Sequence, residues 1–444
     1  MSTADSTTVT FGPIRLAHGI SRGNMWTLLY AAFFTIGLLT FVGVGTPYVL
    51  NAVLKIPPEQ QGVVSGNLVF WTEIVSILMF GPVGLLADRF GRRALFVAGF
   101  ALMGLGYALY PLASSVTELT AYRIVYAFGI ATCTGVLATV VTDYPHESTR
   151  GKAVAIVGFM NGLGVAVLNI VLGGIPKRFS DAGFDDATAG EYTHFIVAGL
   201  CFLAAIVVGL GLKGGLPAKV EAHPPWRTTV RNALKAAANP RIALAYSAAF
   251  IARGDLVILG TFLTLWATQA GVASGMDLPA ASRAGTLIFV IAQSAALVWT
   301  GVVVFLLDRF NRVTALAGCM LLASIGYLGM GLVSNPLDRI DLPLIVLLGI
   351  GQISAFFGSQ ALVGQEAPVE QRGAVLGGFN TAGAVGILFC STVGGQLFDA
   401  VSPKAPFILV GALNAVVFVL ALIVRAKAPG RMPGEAGGGG LGLH

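Results

Sequence analysis

Charge is what this sequence has least of. Only 11% of its 444 residues are Asp, Glu, Lys or Arg, against 55% hydrophobic, and the mean hydropathy is +0.81. A water-facing surface takes about a quarter charged residues, so over this length a soluble globular fold is excluded and the surrounding medium is lipid. Histidine and cysteine are scarce too. The five histidines, at 18, 146, 194, 223 and 444, read as loop or terminal residues, too far apart to build a metal site or a nucleophile and base pair. The four cysteines, Cys133, Cys201, Cys319 and Cys390, fall inside apolar segments where a thiol behaves as a small hydrophobe, so neither disulfide nor metal is expected. No glycine-rich phosphate loop is present. An enzyme is therefore not expected, nor any cofactor. A cleavable leader is not expected either, because the first 25 residues are polar and the first apolar run is too long for an h-region.

What the chain does have is long apolar runs. At roughly 20 residues per bilayer crossing, twelve can be drawn: 26–50, 63–87, 93–113, 119–142, 152–175, 194–212, 242–270, 284–307, 313–334, 342–365, 373–398 and 404–425. They are rich in glycine and lack the polar/apolar alternation of a barrel strand, so helices are the spanning structure that satisfies the backbone. The fold class is an all-α membrane protein. Net charge is +6, but its placement matters more than its sum, and it points to a bilayer rather than to nucleic acid. With both termini cytoplasmic, that side gathers Arg89, Arg92, Arg93, Arg150, Lys152 and the basic run from Lys213 to Arg241. The other side keeps Lys55, Lys177, Arg178, Arg283, Arg339 and Lys404. Positive-inside asymmetry then sets a multi-pass topology in the cytoplasmic membrane with both ends inside.

The chain also repeats itself. Asp88-Arg89-Phe90-Gly91-Arg92 falls on Asp308-Arg309-Phe310-Asn311-Arg312, and Gly106-Tyr107 on Gly326-Tyr327, both 220 positions on. Six helices are duplicated into twelve, in two pseudo-symmetric bundles. The expected organisation is a cytoplasmic tail at 1–25, a bundle at 26–212, a linker at 213–241, a second bundle at 242–425 and a flexible tail at 426–444. Within the linker, Trp226 to Ala238 suits a short amphipathic helix on anionic lipid. Parallel six-helix repeats are an architecture of secondary transporters that bind cargo near mid-membrane.

Gly84-Leu85-Leu86-Ala87-Asp88-Arg89-Phe90-Gly91-Arg92-Arg93 closely resembles the loop signature of the major facilitator superfamily, G-x-L-A-D-R-x-G-R-R. The resemblance covers residues 26–425 and implies two six-helix bundles around a central site. It also implies that this loop closes the cytoplasmic side, with Asp88 reaching toward Gly373. Clustered arginines latch acidic residues, and Asp143, at the end of segment 4, is the expected partner. The second copy, with Asp308, Arg309 and Arg312, is degenerate: Val304, Leu307, Asn311 and Val313 depart from the pattern, and a weaker latch is expected there.

Four charged residues lie deep in apolar segments, where each costs about 3 kcal/mol unless it faces partners or water: Glu73, Arg123, Arg253 and Asp255. Glu73 falls on Gln293 in the repeat, so it is either a protonation switch or a permanently neutral hydrogen-bonding group. Arg123 sits in Leu119-Thr120-Ala121-Tyr122-Arg123, which resembles the L-x-x-x-R-x-x-Q-G-x-G motif of proton-coupled family members. Tyr126 and Ala127 replace its Gln and first Gly, and a snorkelling arginine is the alternative. Arg253 and Asp255 are two residues apart, about 200° around a helix, so each needs its own partner. Asp255 is a proton-carrier candidate, and Arg253 is a candidate for an anionic cargo. A helix-packing role for both is the other reading. Weaker cavity candidates are Asn67, Asn161, Gln269, Gln352, Gln360, Asn380 and Asn414, with the aromatics Phe33, Phe34, Trp71, Trp266, Trp299, Phe356 and Phe357. Segment 5 carries Gly173-Gly174 of the drug antiporters' G-P-x-x-G-G pattern but lacks its Gly-Pro.

The expected function is alternating-access transport of a small molecule, by a monomer, coupled to H+. Efflux of a drug-like or amphipathic compound is the first reading. Uptake of an organic anion such as a carboxylate, or of another small metabolite, is the second.

Overall fold

The computed structural model describes residues 9–215, 226–368 and 371–430. Parts of the expected tails and linker, 1–8, 216–225 and 431–444, lie outside the described residues.

The chain opens on a two-stranded antiparallel hairpin, β1 (Thr10–Phe11) and β2 (Ile14–Arg15), turned by Gly12 at φ 51°. The helices follow: α1 (Arg22–Ala52), α2 (Pro58–Phe90), α3 (Arg92–Leu109), α4 (Val116–Asp143), α5 (Arg150–Gly173), α6 (Ile175–Asp181) and α7 (Asp186–Gly211). After the linker come α8 (Trp226–Ala236), α9 (Pro240–Val257), α10 (Leu263–Ala273), α11 (Leu278–Arg309), α12 (Arg312–Gly329), α13 (Leu342–Glu366), α14 (Arg372–Ala400) and α15 (Ala405–Lys427). Among the described residues, twelve stretches are long and apolar enough to cross a membrane, with α9 and α10 forming one of them through a π turn at Ile258–Phe262. The bilayer offers no water to backbone groups, so the internal hydrogen bonds of these helices meet the requirement the apolar runs imposed.

Local chemistry sets the ends. Ser21 and Asn24 form a reciprocal capping box at α1, and Ser115, Asp185, Asn239 and Asn311 cap later helices. Asp185 corrects one expectation: the sixth span begins at Asp186, not at 194. Its first two turns, Asp-Ala-Thr-Ala-Gly-Glu-Tyr-Thr, are too polar to register as membrane by hydropathy. His194 therefore sits inside α7 and is buried, which corrects its reading as a loop residue.

The chain divides into two compact units, one of residues 1–222 with 260–293, the other of 223–259 with 294–444. In the first, α1 crosses α5 so closely that a Cβ on Gly37 would stand 2.6 Å from the Gly164 carbonyl oxygen, the small-residue contact that brings helices together in lipid. The N-terminal hairpin is pinned to the turn between α4 and α5. His146 N–H donates to the Arg15 carbonyl at 2.7 Å, Ala17 N–H to that of Tyr144 at 2.8 Å, and Arg15 N–H to Thr149 Oγ1 at 3.0 Å. In the second unit, Gly351 lets α13 close onto Ala323 of α12, and Gly411 lets α15 close onto Leu328.

Candidate functional site

Each unit buries ionic chemistry of its own. In the first, Arg123 of α4 is 4% exposed; its Nε donates to Thr72 Oγ1 of α2 at 2.9 Å, and its guanidinium lies 5.1 Å from the Tyr126 ring. Tyr126, the residue that departs from the proton-coupled motif, thus supplies a cation–π face. Arg123 Nη1 has no hydrogen-bond partner. Glu73 follows Thr72 and is half-buried, Trp71 is exposed, and Phe33 is half-buried with its ring 5.3 Å from that of Phe34. Gln293, the repeat partner of Glu73, is half-buried at the end of this unit.

In the second unit, Arg253 and Asp255 of α9 go separate ways, as two residues apart on a helix must. Arg253 Nη2 donates to Asn380 Oδ1 of α14 at 2.8 Å, with its methylenes laid across Gly383. Asp255 is 0% exposed. The Leu256 backbone N–H and the Gln352 side chain stand beside its carboxyl. Neither Asp255 oxygen reaches hydrogen-bond geometry, and Gln352 Nε2 is equally without a partner. Tyr327 of α12 clamps the same turn by donating to the Asp255 backbone carbonyl at 2.8 Å. Three residues on, the helix widens into its π turn, a distortion that recurs at functional positions. Phe356 is half-buried, edge-on to Phe357.

The loop between α2 and α3 is organised around Gly91, whose φ of 85° suits glycine and whose missing side chain leaves room for the Gly215 carbonyl. Arg92 Nε lies 2.5 Å from Asp143 Oδ2, an ion pair between α3 and the end of α4. Arg93 lies against Gly214, and Arg89 over the Phe90 ring at 5.5 Å. Asp88 is half-buried in the last turn of α2, while Gly84 has open space where a side chain would be. Tyr144, next to Asp143, accepts the Lys213 N–H at 3.0 Å, and burial pushes its phenol above the usual value. In the second copy Arg312 turns back to Asp308 at 3.0 Å, and Arg309 lies over Phe305 at 5.5 Å.

Two features escaped sequence reasoning. Arg241 pairs with the largely buried Glu366 at 2.6 Å; Glu366 follows Asp143 by 223 positions, so the repeat itself could have flagged it. Asn311, which replaces the motif glycine, caps α12 and donates to the Pro429 carbonyl at 2.8 Å, tying down the C-terminal segment. An apolar cavity of about 320 Å³ lies among α11, α12 and α13, lined by Trp299, Val303, Phe310 and Cys319. Arg253, Asp255 and Asn380 are not among its walls, so it stands apart from the ionic chemistry.

The sequence profile of the Major Facilitator Superfamily matches residues 28–353 and 295–442. The chain is 32% identical over 416 residues to the magnetosome protein MamH of Paramagnetospirillum magneticum, covering 90% of this chain and 93% of that one. To the magnetosome protein MamZ of the same organism it is 27% identical over 425 residues, covering 91% of this chain but 63% of that longer protein. The crystal structure of the nucleoside transporter NupG superposes with a TM-score of 0.70 at 16% identity, over 92% of this chain and 99% of that one, which speaks to fold alone. Twelve spanning helices, the duplicated Asp-Arg-Phe loop and a profile match along nearly the whole chain agree: this protein belongs to the Major Facilitator Superfamily and is a transporter of small molecules across a membrane, not an enzyme.

Proposed function

We propose a proton-coupled carrier of a small organic anion, worked by alternating access of two six-helix halves, 26–212 and 242–425. The observation that carries the coupling is Asp255, fully buried with both carboxyl oxygens lacking a hydrogen-bond partner. An ionised carboxylate there would have only the nearby Leu256 N–H and Gln352 amide, neither in hydrogen-bond geometry, to offset its desolvation, so the group holds a proton in this conformation and releases it when water reaches α9. Glu73 is the second candidate for the same work.

The anion is favoured by Arg123 and Arg253. Arg123 keeps an unpartnered Nη1 in a buried setting, and Arg253 is oriented by Asn380; planar guanidinium groups suit carboxylate recognition. Gln352 and Phe356 are further binding candidates in the second unit. Export of a drug-like or amphipathic compound is the second reading, favoured by exposed Trp71 and by Gly173, which packs on Thr286 of α11 in the manner the glycine pair of drug antiporters allows. The Arg92–Asp143 pair would serve as the cytoplasmic latch, with both termini inside and the monomer as the working unit. The likeness to MamH makes a magnetosome membrane a second location beside the cytoplasmic one, and a fluorescent fusion distinguishes them.

The test is flux in proteoliposomes with and without an imposed pH gradient, for wild type, Glu73→Gln and Asp255→Asn. Unchanged gradient-driven flux in both variants removes the proton-carrier assignments. Arg123→Lys should weaken binding of a carboxylate on the order of tenfold and leave binding of an uncharged amphipathic compound unchanged. Deletion of the gene separates direction: sensitivity to toxic compounds for export, loss of growth on one carbon source for uptake.

A further inference from the structure

His194 takes no part in the scheme above, yet its surroundings are specific. It is 2% exposed in α7, and its Nδ1 lies 2.8 Å from the Gly190 carbonyl. A carbonyl only accepts, so Nδ1 carries the hydrogen and the neutral ring presents a bare lone pair at Nε2. That Nε2 is buried with no partner. It belongs to a small cavity, about 10 Å³, the room of one water.

The walls of this cavity come from α1, α5, α6, α7 and α11, and three of their four hydroxyls have already spent their protons. Thr193 donates to the Ala189 carbonyl at 2.7 Å, Thr286 to that of Ser282 at 2.9 Å, and Tyr48 to that of Asp186 at 2.9 Å. What these hydroxyls keep is acceptor capacity. Three of the four hydroxyls thus meet the imidazole lone pair with lone pairs of their own. The titratable groups that face the imidazole are phenols: Tyr48 across the cavity, and Tyr107 and Tyr110 with ring centroids 6.3 and 5.8 Å away. Among the described residues no carboxylate or cation lines the cavity.

The same cavity is the seat of a neighbouring segment. Gly173 of α5 is packed on Thr286 so tightly that a Cβ there would stand 2.5 Å from the threonine methyl, and Ser282 of the same α11 face lines the cavity. Gly45 of α1 leaves just enough space for the imidazole, at 3.5 Å from Nε2 to a Cβ placed there. We infer that His194 Nε2 is a proton-binding site, and that loading it loosens the seat of the first turns of α11 on α1, α5 and α7. A charged imidazole in this dry contact has hydroxyl acceptors but no counter-charge, so it gains by drawing water into the cavity. This inference stands independently of the cargo and of Asp255.

The experiment uses the full chain in lipid nanodiscs. Histidine labelled at Cε1 is followed by NMR from pH 8 to 3.5, with the His194 resonance assigned by its loss in His194→Gln. In parallel, Ser282→Cys reports cavity opening by its rate of maleimide modification, taken at each pH as a ratio to that of the exposed Ser274→Cys so that the falling thiolate fraction cancels, against the buried native cysteines as background. The proposal expects a His194 titration within this range and a modification ratio that rises on the order of tenfold as pH falls across it, with the rise abolished when His194→Gln is added. A His194 resonance that does not move, a ratio independent of pH, or the same rise without the histidine each overturns it. Should His194→Gln fail to fold, His194→Asn supplies the comparison, and the wild-type titration alone still decides whether the site binds a proton.

Discussion

Replacing Asp255 by Asn removes the carboxyl charge while keeping its shape, which makes the substitution informative twice over. The side chain is 0% exposed and neither oxygen is hydrogen-bonded. An ionised carboxylate in such a place costs several kcal/mol after relaxation, whereas a protonated one resembles an amide in volume and charge. If Asp255 rests protonated, the Asn protein should unfold within about 1 kcal/mol of wild type. If it rests ionised, removing the charge should stabilise the fold by about 3 kcal/mol or more. Flux gives an independent measure. A carrier moving one proton with each cargo turns a gradient of about one pH unit into about tenfold accumulation, since each factor of ten costs about 1.4 kcal/mol. In proteoliposomes the wild type should approach that ratio, while Asp255→Asn should equilibrate its cargo and still exchange labelled for unlabelled molecules. Wild-type accumulation by the Asn protein would refute the coupling role, and marked stabilisation would refute the protonated resting state.

Three further outcomes test the frame around the site. Gly37→Leu should destabilise the protein by about 1–3 kcal/mol through the α1–α5 crossing, whereas Gly158→Ala, on the same α5 with open space around it, should stay within about 0.5 kcal/mol; thermal unfolding in detergent reads both. The Arg92–Asp143 pair, with side chains 22% and 40% exposed, should give a coupling below about 1 kcal/mol in a double-mutant cycle, shrinking further with salt; a salt-independent coupling of several kcal/mol would contradict a solvent-screened latch. Asp185 caps α7 outside the membrane segments, and the Thr188 hydroxyl, followed by backbone N–H groups, holds its carboxyl below the usual value. A depressed carboxyl stabilises above its unfolded value and loses that contribution as pH falls through its folded one. Asp185→Asn should therefore lower stability modestly at neutral pH and flatten the acid limb of the profile, with the two proteins converging at acid pH.

What the sequence discloses and what it hides follow from the solvent. In hydrocarbon a charge is conspicuous, so Arg123, Arg253 and Asp255 stood out as soon as the spans were drawn, and helical rotation alone said that the last two would not pair. Their partners were hidden because packing chooses them across long separations: Asn380 lies 127 residues from Arg253, and Thr72 lies 51 from Arg123. His194 was misplaced for the opposite reason. The hydropathy that finds a span also trims its polar first turns, and a histidine at the trimmed edge looks like a loop residue. The second loop teaches something different again. Measured against the family pattern, Asn311 is a decayed glycine; in the structure it accepts from the Val313 and Thr314 N–H groups at 3.0 and 3.3 Å and donates to Pro429 at 2.8 Å. Arg312, meanwhile, stays with Asp308 in its own turn, and Glu366, in the place of Asp143, is taken by Arg241. The duplicated loop has thus kept its charges and changed what they hold: a pair between the start of one helix and the end of the next in the first half, a tether for the C-terminal segment in the second. Two copies of one motif, read side by side, separate the residues that any short helical turn needs at a membrane surface from those that pair two helices in one half and hold the C-terminal segment in the other.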